Sequence, residues 1–211
     1  VCSSDLVPSG NFGDMMGGMI GKKMGLPIEK FIIATNENDE FPTFLKTGEY
    51  NKIDPSKNCI SSAMNVGHPS NIARLVALYG GVMDEKGNIS KSPDLKLMNK
   101  EIYSVSVTDN QTRETIKNTY NSYKVVLEPH GATGWFGLES YLNEVGNDDK
   151  SKLCVSLETA HPAKFPEEIL SLLNFDPDLP PSLEKIEDLP EQYDLMNNDY
   201  TTFKQYLKTK Y

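Results

Sequence analysis

The sequence predicts an α/β fold with an open, mostly parallel sheet flanked by helices. Short, fully apolar segments such as "KFIIAT" at 30–35 are typical of strands that are buried on both faces. Three such segments are each followed by a loop and then a helical pattern, as in βαβ units. Two unusual loops, "PSGNFGD" at 8–14 and "ETAHPAKFP" at 158–166, follow predicted strands at their carboxyl ends, where open α/β sheets bind ligands.

The first predicted elements lie in the N-terminal part of the chain. Residues 13–27, "GDMMGGMIGKKMGLP", have the apolar spacing of a helix that Gly25 and Pro27 end. The strand "KFIIAT" follows this helix directly. The segment 36–50 is typical of a loop, a short helix and a second loop, and 69–81 places apolar residues on one helical face before a Gly-Gly stop.

The rest of the chain continues the alternation of strands and helices. Residues 81–100 are polar and rich in turn residues, which predicts a surface segment. "EIYSVSV" alternates as a strand, and "TDNQ" after it is a capping box that opens a helix. The remaining predicted elements are a strand, turn and helix at 125–146, another strand, turn and helix at 152–173, and a final helix at 199–207.

The composition argues against several classes of function. The 211-residue chain has 21 Lys and Arg against 30 Asp and Glu, and its net charge of −9 argues against nucleic acid or an acidic membrane as the main partner. Its longest apolar runs are too short to span a bilayer. Three widely spaced cysteines without a C-x-x-C pair predict neither a disulfide framework nor a zinc site. We therefore expect a cytoplasmic protein without a metal centre.

The stretch "VPSGNFGD" at 7–14 places two glycines and an asparagine directly before a helix. Unpaired N–H groups and the positive end of the helix dipole favour a phosphate or carboxylate at a helix N-terminus. Glycines let such an anion approach without Cβ clashes. Residues 10–14 therefore form a candidate anion-binding loop.

Two other interpretations of this loop stay open. The loop is compatible with a loose dinucleotide fingerprint, in which Glu37 after the next strand would contact a ribose hydroxyl. It is also compatible with a purely structural strand-to-helix turn. A phosphate P-loop is excluded, because Asp14 and Met15 stand where that motif requires Lys and Ser or Thr.

The three histidines are expected to be structural or loop-capping residues. His68, His130 and His161 lie beside Pro or Gly in predicted loops and lack the i, i+4 spacing of a helical metal pair. No G-x-S-x-G elbow supports a Ser-His-Asp triad.

Five segments carry a resemblance to a known enzyme family. In chain order they are "VPSGNFGD", "KKMGLPIEKFIIATNENDEFPTFLKTGEY", "SSAMNVGHPSN", "LEPHGATG" and "ETAHPAKFPEE". In this order, and with similar spacing, they resemble the C-terminal half of threonine synthases. The resemblance implies the fold typified by the tryptophan synthase β subunit. This chain would form only part of such a fold.

The resemblance implies a cofactor and a reaction. Threonine synthases use pyridoxal 5′-phosphate to convert O-phospho-L-homoserine and water to L-threonine and phosphate. By the family pattern, Gly10, Asn11, Phe12, Gly13 and Asp14 form a cup for the cofactor's 5′-phosphate, mainly through backbone N–H groups. Related enzymes place Asn where this chain has Asp14. We therefore expect its side chain to point away from the phosphate and cap the helix.

Thr159, in "ETAHPAKF", is the second contact that the family pattern implies, with its hydroxyl against the pyridine nitrogen. A hydroxyl can donate to a neutral nitrogen, whereas a carboxylate would hold that nitrogen protonated. The family's Schiff-base lysine is expected upstream of this chain, so no catalytic residue is assigned and the fragment alone is expected to be inactive. The alternative is a non-catalytic α/β protein that binds a phosphate or nucleotide with the same loop.

The expected domain organisation has three parts. Residues 1–6, "VCSSDL", are polar and stop before a motif that should follow a buried strand, which indicates a truncated chain with a non-native remnant. Residues 7–175 are the expected cofactor-binding portion of a large domain. Residues 176–211 are acidic and broken by prolines, and we expect them to pack on that portion.

Overall fold

The computed structural model describes residues 3–145 and 153–211. Val1 and Cys2, in the segment predicted to be non-native, lie outside the described residues. The chain separates into two compact units, one ending at Pro177 and one spanning Asp178–Tyr211. The strands are β1 Ser3–Pro8, β2 Ile28–Thr35, β3 Val82–Met83, β4 Ile89–Lys91, β5 Ile102–Ser106 and β6 Leu153–Ser156. The helices are α1 Gly13–Lys23, α2 Glu40–Thr47, α3 Ile72–Leu78, α4 Leu95–Glu101, α5 Asp109–Tyr123, α6 Pro129–Val145, α7 Pro166–Leu173 and α8 Tyr200–Lys210.

The first unit is built on a four-stranded sheet with the order β5-β2-β1-β6. All three strand pairs are parallel. The predicted open, mostly parallel α/β sheet is therefore confirmed. β1 begins at Ser3, so a strand does precede the glycine loop, and the origin of residues 1–6 stays a prediction.

The apolar run of β2 is buried because helices cover both faces of the sheet. Phe31 and Ile33 pack into a core cluster with residues of α1, α2, α3 and α4. Ile32, on the opposite face, packs with Leu138 and Tyr141 of α6. This alternation is what a central parallel strand requires, since successive side chains point to opposite faces. α5, α6 and α7 share a further small cluster around Ile116 and Ile169.

Several local predictions are confirmed in detail. Thr108 and Gln111 form the complete capping box at the start of α5. Pro166 is the first residue of α7. A residue at this position makes no N–H hydrogen bond within the helix, so proline's lack of an N–H costs nothing there. The final helix forms as α8, within the second unit. Within that unit, the Asp194 carboxylate accepts hydrogen bonds from Tyr206 and Lys210.

Two local predictions differ from the structure. Residues 81–100 are mostly exposed, as predicted, but they also form the β3–β4 hairpin and α4, and Met98 of α4 is fully buried. Asp94 caps that helix by accepting from the Leu97 N–H at 2.9 Å. The predicted strand at 125–127 also does not form within the described ranges. Val126 and Leu127 instead pack with the cluster around Ile116, whereas Val125 is exposed.

The sheet order places two predicted loops side by side. β1 and β6 are adjacent and parallel, so the loops that leave their carboxyl ends emerge at the same edge. The loop after β1 leads into α1, and the loop after β6 leads into α7. No helix within the described ranges combines the length and apolar character needed to cross a bilayer.

Candidate functional site

A cavity of about 260 Å³ lies between the loops that follow β1 and β6. All six predicted site residues line it: Gly10, Asn11, Phe12, Gly13, Asp14 and Thr159. The other lining residues are Pro8, Ala63, Met64, His130, Ala160 and Lys164. Loops that are almost 150 residues apart in sequence thus share one cavity, because their strands are neighbours in the sheet.

The glycine loop presents the start of α1 to this cavity. Phe12 precedes the helix in the left-handed conformation, with φ 62° and ψ 25°, and within the described chain its side chain provides no cap. The first-turn N–H groups of a helix have no partner within the helix, so they are available to an anion. The unusual Phe12 backbone is fixed by its side chain, which is 2% exposed and contacts Phe41 edge-to-face.

The two glycines of the loop serve different purposes. A Cβ on Gly10 would lie 2.9 Å from the carbonyl oxygen of Ala63 and 3.0 Å from Cα of Met64, so this position needs glycine for close backbone packing. A Cβ on Gly13 would meet no atom of the described structure within 4 Å. The open space beside Gly13, at the helix start, is therefore available to a ligand.

Asn11 and Asp14 complete the loop in different ways. The Asn11 side-chain oxygen accepts the Ser70 N–H at 3.1 Å, and its carbonyl oxygen accepts from the Asn71 amide at 2.7 Å. These bonds tie the loop to the residues before α3. Asp14 is exposed in the first turn of α1 and makes no capping hydrogen bond with a described residue, so the expected cap does not form. Its negative charge still interacts favourably with the positive helix end.

The second wall of the cavity comes from the loop after β6. His161 caps the short 3₁₀ turn Pro162–Lys164 by accepting the Ala163 N–H on Nδ1 at 3.2 Å. This turn leads into α7 and leaves Thr159 exposed at the cavity edge. Lys164 lies at the end of the turn and is the one cation among the described lining residues.

His130 is a cavity residue that its sequence context did not single out. It is 2% exposed in the first turn of α6, and its Nε2 accepts the Ala63 N–H at 3.1 Å. Its Nδ1 lies 2.6 Å from the Glu128 carboxylate. The sequence does contain one sign of this arrangement, the glutamate directly before Pro129. Proline favours the first position of a helix, so the residue before it is expected to cap that helix.

The other two histidines confirm the structural interpretation. His161 is a loop cap, as described above. His68 Nδ1 lies 2.7 Å from the Tyr50 hydroxyl, and its Nε2 lies 3.1 Å from the Glu85 carbonyl oxygen. Because a carbonyl can only accept, Nε2 carries the proton and Nδ1 accepts from Tyr50.

Glu158, directly before Thr159, has an unusual carboxyl environment. A Cβ on Gly131 would lie 1.9 Å from Glu158 Oε2, so the carboxyl group lies directly against the Gly131 backbone. The residue as a whole is exposed, but its carboxyl end is enclosed. Burial raises the pKa of Glu158 to about 7, and the nearby Glu128 charge contributes in the same direction.

A separate cluster of ligand-type groups lies outside the cavity. Oxygen or sulfur atoms of Glu37, Cys59 and Asp109 lie within 4.8 Å of one another. Burial raises the pKa of the Cys59 thiol, and Asp109 already accepts the Ile60 N–H at 3.0 Å. Glu37 is not among the described residues that line the cavity, which disfavours a dinucleotide whose ribose it would bind.

Comparisons with known sequences agree on one family. A family model described as "Threonine synthase, C-terminal" matches residues 136–207. The threonine synthase of Haemophilus influenzae is 36% identical over 203 residues, which are 95% of this chain and 42% of that protein. The Saccharomyces cerevisiae enzyme is also 36% identical, over 89% of this chain and 42% of its own length. The chain thus spans about two fifths of these relatives.

Solved structures give the same result. The chain matches PLP-bound threonine synthase from Brucella melitensis with a TM-score of 0.82 and 29% identity, over 99% of this chain and 46% of that one. Yeast threonine synthase matches with a TM-score of 0.80 and 31% identity, over 98% of this chain and 47% of that one. A threonine deaminase from Solanum lycopersicum, at 16% identity and a TM-score of 0.52, shares the fold alone.

These neighbours confirm the predicted fold of the tryptophan synthase β type. The chain is therefore similar over nearly its whole length to the C-terminal part of threonine synthases.

Proposed function

We propose that this chain is the C-terminal part of an enzyme that converts O-phospho-L-homoserine and water to L-threonine and phosphate. Within that enzyme its role is to hold pyridoxal 5′-phosphate. One observation carries the proposal: the glycine loop and Thr159, assigned to opposite ends of the cofactor from sequence, line a single cavity. The kinship with threonine synthases supplies the reaction.

The residues present fit the cofactor's phosphate. The open space beside Gly13 lies at the N-terminus of an 11-residue helix, where backbone N–H groups and the helix dipole favour an anion. Gly10 lets the loop pack closely on Ala63, and Asn11 ties it to the segment before α3. The loop is thus fixed on both sides and presents its N–H groups without a large rearrangement.

Thr159 is the residue that we propose for the pyridine end. Its hydroxyl can donate a hydrogen bond to a neutral ring nitrogen. When bound, pyridoxal phosphate supplies the electron sink for chemistry at the substrate's carbon atoms. The contribution of this chain is to bind the phosphate, orient the ring and enclose one side of the site.

The lysine that anchors the cofactor's aldehyde is not assigned in this chain. No lysine of the sequence stands in the family's motif for that role, and Lys164 reaches the cavity from the loop after β6. We therefore propose that the anchoring lysine and most groups that bind the substrate's phosphate belong to sequence that the relatives have beyond this segment. We also propose a cytoplasmic location, which suits a chain with three widely spaced cysteines and no C-x-x-C pair.

Binding of pyridoxamine 5′-phosphate tests the proposal. This probe carries the phosphate and the pyridine ring but lacks the aldehyde, so it does not react with surface lysines. Titration of the 211-residue chain by calorimetry should show one site, and Gly13→Val should abolish it by filling the anion space. Gly17→Val is the matched control, because it also adds a β-branched side chain into open space on α1 but lies outside the cavity.

The outcomes separate the two candidate functions. Binding that Gly13→Val removes and Gly17→Val preserves supports the proposal. Equal binding by both variants contradicts the assigned cup. Tighter binding of NAD than of pyridoxamine 5′-phosphate would favour the alternative, a non-catalytic phosphate- or nucleotide-binding protein.

A further inference from the structure

We propose that His130 is a positioning residue for the cofactor cavity, held by Glu128 in one neutral tautomer. The inference rests on the proposed function, and it assigns a specific role to one side chain: His130 joins the two walls of the cavity. Its imidazole bonds the turn that supports the glycine loop, and its ring contacts the loop that carries Thr159.

The hydrogen bonds define the tautomer. The backbone N–H of Ala63 can only donate, so His130 Nε2, at 3.1 Å, must be the unprotonated acceptor. The ring proton therefore lies on Nδ1, which donates to Glu128 Oε2 at 2.6 Å. An imidazolium at this position would direct an N–H at the N–H of Ala63, which is unfavourable.

Glu128 is itself fixed, so it can hold the ring. It is fully buried, and its carboxylate accepts three hydrogen bonds. Oε2 accepts the backbone N–H of His130 at 2.8 Å in addition to the ring Nδ1–H. Oε1 accepts the N–H of Gly131 at 2.8 Å. These donors and the positive end of α6 compensate the buried charge.

The bond to Ala63 reaches the cavity through the 3₁₀ turn Ser62–Met64. Gly10 packs against this turn so closely that no Cβ fits between them. The other side of the turn is held by Asn36, whose amide donates to the Ser61 hydroxyl at 3.1 Å. Loss of the His130 bond would remove one of the contacts that hold the turn and let it move away from Gly10.

The second wall is contacted by the same ring. His130 and Phe165 have ring centroids 5.2 Å apart in an edge-to-face arrangement. Phe165 follows the 3₁₀ turn Pro162–Lys164 and leads into α7. One buried side chain therefore sets the distance between the support of the phosphate loop and the segment that carries Thr159.

Two substitutions separate the contacts of the ring. In His130→Asn, the side-chain amide can replace Nδ1–H toward Glu128 but is too short to reach Ala63. In His130→Gln, the side-chain oxygen can take the place of Nε2 and accept the Ala63 N–H, while the donor to Glu128 is lost. A positioning role through Ala63 predicts that Asn weakens binding of pyridoxamine 5′-phosphate about tenfold, as for a buried N–H left unpaired, and that Gln restores most of the affinity.

Two readouts do not depend on the ligand. The long-range ¹H–¹⁵N spectrum of the chain labelled at histidine should show one ring protonated on Nδ1 with a bare Nε2. Amide hydrogen exchange at Ala63 should accelerate in His130→Asn and stay near the wild-type rate in His130→Gln. If His130→Asn does not fold, the wild-type tautomer and the His130→Gln affinity still decide the matter.

The outcomes distinguish this inference from the proposed function. Wild-type affinity in His130→Asn, or a His130 ring protonated on Nε2 in the wild-type chain, overturns the positioning role and leaves the cofactor site intact. A wild-type chain that does not bind pyridoxamine 5′-phosphate overturns the proposed function, and the positioning role with it.

Discussion

Gly10 and Ala63 lie so close that a Cβ on Gly10 would come within 2.9 Å of the Ala63 carbonyl oxygen. Both atoms that such a Cβ would meet first, the Ala63 oxygen and Met64 Cα, belong to backbone and cannot turn aside as a side-chain end can. The glycine loop therefore depends on a turn more than 50 residues further along the chain. The shape of the cavity is therefore determined by the packing of this turn on the loop as well as by the loop's own sequence.

Gly10→Ala tests this contact directly. We expect the substitution to destabilise the chain by about 1–3 kcal/mol, as for an overpacked core position, because the backbone must shift. Urea unfolding measures the change in the free energy of unfolding. Gly17→Ala is the control, since it adds a Cβ in open space in the interior of α1 and should stabilise the helix by roughly 0.5–1 kcal/mol. Equal effects of the two substitutions would show that the contact with Ala63 is not tight.

Thr159→Val tests the proposed contact with the pyridine nitrogen. The fold should be kept, because the residue is exposed and the two side chains are similar in shape. Affinity for pyridoxamine 5′-phosphate should fall about three- to tenfold through loss of one hydrogen bond. Affinity for inorganic phosphate should not change, and Thr159→Ser should retain wild-type binding. In a full-length enzyme that contains this segment, Thr159→Val should also impair turnover, and wild-type kinetics would remove Thr159 from the site.

Glu40→Gln tests a buried carboxyl at the first residue of α2. Glu40 is 3% exposed, its Oε2 has no hydrogen-bond partner in the described chain, and burial raises its pKa to about 7. Ionisation is therefore harder in the folded than in the unfolded chain, so stability falls as pH rises from about 4.5 through about 7. The full effect is about 3 kcal/mol above that range.

Glu40→Gln should therefore stabilise the chain at pH 8 and have little effect at pH 4.5, measured by urea unfolding at both pH values. Glu49→Gln, at an exposed position after α2, is the control and should change stability little at either pH. A stabilisation by Glu40→Gln that is the same at both pH values would contradict the assignment, because it would not come from ionisation.

The 211-residue chain alone should not produce threonine from O-phospho-L-homoserine, even with added pyridoxal phosphate. The chain offers the phosphate loop and Thr159, but the anchoring lysine is assigned elsewhere. Loss of a positioned acid or base alone slows such reactions by about 10²- to 10⁴-fold. Released phosphate and threonine are the quantities to measure, with a full-length threonine synthase as the positive control. Substantial turnover by the chain would show that its catalytic groups have been misassigned.

The sequence predicted the two loops that line the cavity, because they follow from local sequence pattern and from sheet topology. Glycine spacing before a helix identified the loop 10–14, and an apolar strand before "ETAHPAKFP" placed Thr159 at a strand end. Because β1 and β6 are parallel neighbours, both loops had to emerge at one edge of the sheet. The role of Thr159 came from the family resemblance, and no local pattern would have supplied it.

The parts that sequence missed depend on contacts between distant residues. The hydrogen bond from the Ala63 N–H to His130 joins positions 67 residues apart, and no periodic pattern in the sequence predicts it. The valines at 125 and 126 have the composition of a strand, but they precede a helix whose start is set by the Glu128 cap and Pro129. In α4, a seven-residue helix buries Met98 through tertiary packing, although the surrounding sequence is polar.

A structure of the chain bound to pyridoxamine 5′-phosphate would show whether the cavity holds the cofactor as proposed. We expect the phosphate at the start of α1, within hydrogen-bond distance of the Gly13 and Asp14 N–H groups. We expect the pyridine nitrogen beside the Thr159 hydroxyl, about 5–10 Å from the phosphate loop, on the scale of a small cofactor in a strand-end crevice. A phosphate bound elsewhere, or a ring that points away from Thr159, would contradict the assignment of this cavity.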